Sequence, residues 1–299
     1  MQSRLWLVFA LITTISWGVW GALIELTEKA GFPPTLGYVV WALTMLIPAV
    51  VALKLIGWKL EHDGRSIVYG MIIGLLGAGG QLVLFTSALT AGPAYLIFPI
   101  ISLSPVVTIV LSLILLRERA GRSGWLGIVL AIIAIPLLSW QEANSVAGGG
   151  YLWFVYALLV FGAWGVQAYF MKLANTHMRA ESIFFYMTVT GIMLVPFALI
   201  MTDFSQPINW GFRGPWLAGM IQILNSVGAL CIVYAFRYGK AIIVSPLTNA
   251  VAPIITVLLS LLLYRQVPHI LVITGIVLAI CAAFMMALED AGEEAPETT

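Results

Sequence analysis

Charge is what this chain has least of. Lys, Arg, Asp and Glu together make up 9% of its 299 residues, where a soluble domain carries about 25%. An ordinary soluble enzyme or binding module is thereby excluded. The net charge of +1 gives no basic surface for nucleic acid. Cysteine is almost missing as well: Cys231 and Cys281 both lie inside apolar runs, which argues against a disulfide framework. The histidines His62, His177 and His269 fall between those runs, and no Asp or Glu falls in the middle of one. So no intramembrane carboxylate or imidazole is offered for proton coupling, and no coupling ion can be named. HExxH, P-loop and nucleophile-elbow patterns do not occur, and Asn144-Ser145-Val146 is not a glycosylation sequon. The expectation is a protein that is not an enzyme and uses neither a metal nor an organic cofactor.

What the chain does have is apolar length. Hydrophobic residues reach 61%, and apolar runs of about 20 residues recur, long enough to cross a ~30 Å hydrocarbon core. Ten spans are predicted, at roughly 5–24, 35–56, 67–90, 93–116, 123–140, 151–171, 182–202, 214–236, 241–263 and 269–288. Arg4 followed by an apolar run imitates a signal peptide, but no small-residue cleavage site follows, so this stretch is taken as the first span.

The runs repeat. Shifted by 148 positions, Pro105, Thr108, Ser112 and Arg117 fall on Pro253, Thr256, Ser260 and Arg265, and Gly127–Ile132 falls on Gly275–Ile280. Tyr38 and Pro48 fall likewise on Tyr186 and Pro196, and Trp17-Gly18-Val19 matches Trp164-Gly165-Val166. The expected fold is therefore all-α: ten transmembrane helices as two five-helix repeats, 1–140 and 151–288. They are joined by a Gly-rich linker, 141–150, and followed by an acidic disordered tail, 289–299. Five is odd, so the second repeat enters the bilayer from the opposite face and the repeats are inverted, as in many secondary transporters. Each copy carries prolines in the first half of its fourth helix, Pro99 and Pro105 in one and Pro246 and Pro253 in the other. Both of these helices are expected to be interrupted. Counting loops from the N-terminus, Arg4, Lys54, Lys59, Arg65, Arg117, Arg119, Arg122, Lys172, Arg179, Arg237 and Lys240 share one face, eleven of the 14 Lys and Arg. The positive-inside rule puts that face, and both termini, in the cytoplasm.

An Ala-x-x-x-Gly-x-Ala segment ahead of a Pro-containing helix, an Arg-Glu-Arg exit at Arg117-Glu118-Arg119, then the Gly-Ile-Val-Leu helix resemble the EamA family of the drug/metabolite transporter superfamily. The resemblance spans essentially the whole chain. It implies a ten-helix bundle whose helices 1–4 and 6–9 surround a cavity, with helices 5 and 10 peripheral, and transport of small metabolites. The chain departs from the pattern at Gln266, where Glu118 would have its counterpart, so Glu118 is expected to be structural.

Within this frame, Gly74, Gly77 and Gln81 share one face of the third span, and their 148-shifted counterparts are Gln222, Asn225 and Ala229. Amides on one helix and small residues on the other suggest a shared lining; interhelical hydrogen bonding is the alternative. Ser245 and Asn249 share a face beside Pro246, where carbonyls are freed and an amide can donate and accept. Trp17, Trp164, Tyr95 and Phe98 lie where aromatics can stack on a ligand or merely fill space. The candidate substrate-binding set is therefore Trp17, Gln81, Tyr95, Phe98, Trp164, Gln222, Asn225, Ser245 and Asn249. Thr108 and Thr256 are expected to bond their own helix or pack on another. Trp6, Trp58, Trp125, Trp140, Trp153, Trp210 and Trp216 are expected in the interfacial belts, and Glu25 and Lys172 to snorkel out of the bilayer. The expected partners are a lipid bilayer of the bacterial inner-membrane type and a small amino-acid-, sugar- or similarly polar or zwitterionic substrate. A lipid flippase and a passive facilitator are the rival readings.

Overall fold

The computed structural model describes residues 4–88, 97, 100–138, 140, 152–264 and 269–292. Among them every regular element is helical. In chain order they are α1 (Leu5–Leu23), α2 (Glu25–Lys29), α3 (Pro34–Thr44), α4 (Leu46–Leu55), α5 (Gly64–Val83), α6 (Pro105–Leu111), α7 (Arg122–Leu138), α8 (Leu152–Ala174), α9 (Ala180–Met193), α10 (Val195–Ile200), α11 (Leu217–Tyr238), α12 (Ala241–Tyr264) and α13 (Ile270–Gly292). Wider π-turns continue α5 at Leu84–Ala88, continue α6 at Ser112–Leu116 and precede α11 at Phe212–Trp216. Six of the resulting rods are long and apolar enough to cross a membrane, and four shorter apolar helices accompany them. Large apolar side chains point outward, among them Leu55, Ile114, Ile200, Leu262 and Phe284. Water would not tolerate so many, and a hydrocarbon core would. The chain is an integral membrane protein.

Local chemistry sets the ends and breaks. Pro34 opens α3 behind extended Pro33, where its missing N–H is no loss. Asp63 caps α5 by accepting from the Ser66 N–H and hydroxyl, and those two bonds hold its carboxyl below the usual range. The second membrane rod of each half breaks just ahead of a repeat-related proline, at Met45 three residues before Pro48 and at Leu194 two residues before Pro196, since each proline strips the i−4 carbonyl of its donor. The two proline-bearing fourth helices differ. The first is interrupted as expected, by turn residues Leu103 and Ser104 before Pro105. The second is not: α12 runs as one helix through Pro246 and Pro253. Pro246 leaves the Ile242 carbonyl without its donor, while the side chains of Thr248 and Asn249 bond the Val244 and Ser245 carbonyls of the following turn.

Packing between the halves comes in matched pairs. Helix α1 lies against α11 and α12, and α8 lies against α5 and α6, so the first helix of each half sits in the other half. Trp17 Nε1 donates to the Asn225 carbonyl at 3.3 Å, and Trp164 Nε1 to that of Gly77 at 3.4 Å. Thr256 Oγ1 donates to the Gly18 carbonyl at 2.9 Å, and Thr108 Oγ1 to that of Gly165 at 3.0 Å. Gly228 leaves room for the Trp17 ring and Gly80 for that of Trp164. Helices α7 and α13 pack on each other, with Gly127 against Met286 and Gly275 against Leu138. Each of these pairs is related by the 147–148 shift already seen in the sequence.

Candidate functional site

The two ends of the bundle differ. At the far end, where α1 finishes, a cleft with room for about one water (≈ 10 Å³) is lined by Ile24, Thr27, Glu28, Phe32, Pro33, Pro34, Gly37, Tyr38, Trp41, Gln81, Phe85 and Gln222. Neutral hydrogen bonds join the halves around it. Gln222 takes the Trp20 indole N–H at 2.9 Å and donates to the Gly37 carbonyl at 3.3 Å, and Asn209 donates to the Ala30 carbonyl at 2.9 Å.

At the near end, where α1 begins, charged groups tie one half to the other. Glu118 accepts from the backbone N–H groups of Ala241 and Ile242 at 3.1 and 3.0 Å, and lies 3.9 Å from Lys172 Nζ. Lys172 also donates to the Gly239 carbonyl. Glu61 accepts from the Ser182 hydroxyl, pairs with Arg179 at 3.3 Å, and takes the Tyr186 hydroxyl on its own carbonyl at 2.7 Å. Within the second half, Asn175 donates to the Val233 carbonyl and Tyr234 to Glu181. Lys172 thus turns inward to a carboxylate and a carbonyl rather than snorkelling, because Glu118 offers a partner within reach. Trp6, expected in a belt, is 3% exposed and packs on Gly239. Trp58, Trp210 and Trp216 are exposed, as belt residues should be.

The candidate residues separate into three groups. Gln81 and Gln222 line the far-end cleft; the Gln81 side chain makes no hydrogen bond among the described residues, while both ends of the Gln222 amide are occupied. Asn225 is nearly buried, with its side-chain amide unbonded among the described residues. Asn249 is half-buried and donates to the Ser245 carbonyl at 2.9 Å. The buried Ser245 hydroxyl reaches Thr108 Oγ1 at 3.4 Å. Trp17 and Trp164 commit their indole N–H groups to helix packing. Tyr95 and Phe98 lie outside the described residues. Sequence reasoning missed Glu28, Trp41 and Phe85, which share the cleft with Gln81. It also missed Gln167, whose amide fills the space beside Gly77. Gln167 stands three residues after Trp164, as Trp20 does after Trp17, so the repeat itself pointed to it.

The family model of the EamA-like transporters matches residues 4–140 and again 150–288. The chain belongs to the EamA-like transporter family. It is thus a membrane transporter of the drug/metabolite type. The same two segments coincide with the halves whose contacts are twinned above. Over 243 residues the chain is 24% identical to an uncharacterized transporter of Haemophilus influenzae, covering 78% of this chain and 71% of that one. Over 77 residues, 26% of this chain, it is 38% identical to an uncharacterized protein of Methanocaldococcus jannaschii. There the match spans about half of the relative, 56% of its length. A solved crystal structure superposes with a TM-score of 0.73 over 96% of this chain and 99% of its own, at 20% identity, and so shares the fold.

Proposed function

We propose that this EamA-like transporter is a secondary carrier. It moves a small metabolite, an amino acid, a sugar or a related polar or zwitterionic compound, by alternating access through ten transmembrane helices in two inverted five-helix repeats. The observation that carries the reading is twinned packing combined with unequal ends. The same contacts recur in both halves, so the scaffold supports two mirror-related arrangements of nearly equal packing. The near end is tied by charge-assisted bonds and the far end holds the cleft. A carrier caught facing one side has this form. Purified protein in liposomes should show saturable flux accelerated by substrate on the opposite side. Flux without saturation would support a passive facilitator, and transfer of fluorescent lipid headgroups without solute flux would support a flippase.

The eleven-to-three division of Lys and Arg supports a near end that faces the cytoplasm, in a bacterial-type inner membrane. A reporter fused after Thr299 should behave as cytoplasmic, and a periplasmic signal from intact chains would defeat the ten-span topology.

Asn249 keeps its side-chain oxygen without a partner among the described residues while its nitrogen holds the helix. As a substrate contact, that oxygen should matter to transport. Asn249→Ala is expected to weaken transport about tenfold, the equivalent of ~1.4 kcal/mol, with little change in melting temperature. A lower melting temperature with normal affinity would make it a packing residue.

A further inference from the structure

Building on the carrier reading, we infer that the Trp41 indole N–H is the donor that reads a carbonyl-type oxygen of the substrate in the far-end cleft, the substrate being a compact carbonyl compound with a flat apolar body. Three observations lead there. The first is how the polar side chains lining the cleft are already engaged, since a bonded group has least to offer a ligand. Tyr38 donates its hydroxyl to the Gly191 carbonyl at 3.1 Å, and Thr27 donates to that of Ile24 at 2.9 Å. Gln222 has both ends of its amide occupied. Glu28 already has an interaction partner, so charge is not what the cleft holds in reserve. Among the described residues, the polar side-chain groups left over on that wall are the Trp41 N–H and the Gln81 amide.

The second observation is where that N–H lies. Trp41 is 7% exposed, and its N–H has no hydrogen-bond partner among the described residues. A Cβ on Gly191 would meet Trp41 Cζ3 at 3.8 Å, so the six-membered edge of the indole is turned to α9. The N–H lies across the ring system from Cζ3 and is turned away from α9, while the residue itself lines the cleft. An indole donates and cannot accept, so what it lacks is an acceptor. A buried unmet donor is costly to keep, and a phenylalanine would fill the space without that cost. The third observation is the company it keeps. Gln81 can both donate and accept, which suits the second oxygen of a carboxylate or the N–H of an amide beside the carbonyl. Phe32, Tyr38 and Phe85 give aromatic cover for a flat body. The cleft has room for about one water (≈ 10 Å³), so a larger ligand enters by moving Phe85 and the π-turn, Leu84–Ala88, that carries it. Wide turns of this kind are common at functional sites.

An acceptor series tests the assignment on the full-length protein in lipid nanodiscs, with empty nanodiscs as the blank. The probes are benzamide, benzoate and benzamidinium, which share a ring and a planar head and carry one acceptor oxygen, two and none. In titration calorimetry, one or both carbonyl probes should bind at least tenfold more tightly than benzamidinium, and the tighter of the two tells an amide-type from a carboxylate-type substrate. Trp41→3-benzothienylalanine puts sulfur in place of the N–H at nearly the same shape. It should bring the ratio of carbonyl to benzamidinium affinity toward one, with the melting temperature unchanged or raised. Trp41→Phe drops the same donor and should give the same ratio, whatever its packing costs. Benzamidinium binding as tightly as the carbonyl probes overturns the proposal, as does a ratio kept in the folded variants. Binding of none means that solvent alone serves the N–H, and a lower melting temperature of the benzothienyl variant means that the protein does; each overturns it too. Counterflow in liposomes is read separately. Carbonyl binding through Trp41 without flux leaves this site standing and removes the carrier reading. Saturable flux of a solute that neither Trp41 variant alters does the reverse.

Discussion

Gly18→Ala and Gly165→Ala should each destabilise the protein, by similar amounts, and their effects should add. A Cβ on Gly18 would lie 2.5 Å from Ile255 Cβ and 2.8 Å from the Ala252 carbonyl oxygen. On Gly165 it would lie 2.4 Å from Val107 Cβ and 2.7 Å from the Ser104 carbonyl oxygen. Carbon atoms in contact prefer about 3.5–4.0 Å, and in both places a backbone oxygen forms part of the obstacle, so rotating a side chain does not relieve it. Alanine gains about 0.5–1 kcal/mol in helix propensity over glycine. Overpacking costs about 1–3 kcal/mol, and the clash wins. The substitutions also push away the carbonyls of residues 18 and 165, which accept from Thr256 and Thr108. The two sites share no partner, so additivity is expected. Thermal melts in detergent, by tryptophan fluorescence or static scattering, would measure it. A large drop for one and none for the other would break the structural equivalence of α1 and α8.

Glu118→Ala should be the most damaging single change at the near end. The carboxylate serves two of the N–H groups that α12 leaves unpaired at its start. Charge-assisted bonds of that kind are about twice as strong as neutral ones. Its loss also leaves Lys172 beside the Gly239 carbonyl with its carboxylate partner gone. Removing one member of a buried pair costs about 3–5 kcal/mol, and the partial exposure of Lys172, 21%, sets that as an upper bound. Glu118→Gln keeps an acceptor for one N–H and should cost less. Neither variant should change substrate affinity in protein that inserts normally, because Glu118 lies at the opposite end from the cleft. The melting temperature and the inserted yield of Glu118→Ala, Lys172→Met and the double variant form a cycle that isolates their coupling. A large affinity loss in stable Glu118→Gln protein would instead make the residue part of substrate binding.

How much of this was legible in the residues depends on what a repeat encodes. The shift of 148 shows which positions are alike, and helix ends such as Leu5, Pro34, Leu152 and Ala241 fall within a few residues of the predicted spans. It does not show what touches what. Trp17 and Trp164 were legible as equivalents. That each spends its N–H on a carbonyl of the other half depends on α1 and α8 changing places, which no local pattern records. Proline marked both fourth helices, yet one is interrupted before Pro105 and the other runs unbroken through Pro246 and Pro253, a difference that proline position alone does not encode. Glu28 was passed over because it lies beyond the first apolar run, where a carboxylate ordinarily meets water. Only the approach of Phe32, Trp41 and Phe85 makes it part of a wall.

The exchange of first helices has a consequence for biosynthesis. Thr13 on α1 bonds the Gly228 carbonyl, 215 residues later in the chain, and Thr256 bonds Gly18 across 238. At about 5–20 residues per second, the first membrane helix waits roughly 10–50 s for its neighbours to be made. For that interval the Trp17 indole, the Thr13 hydroxyl and the bare flank at Gly18 face lipid or an insertion factor instead of α11 and α12. Truncated chains ending before α11 should therefore be held by the insertion machinery or degraded, even though every helix they contain is complete.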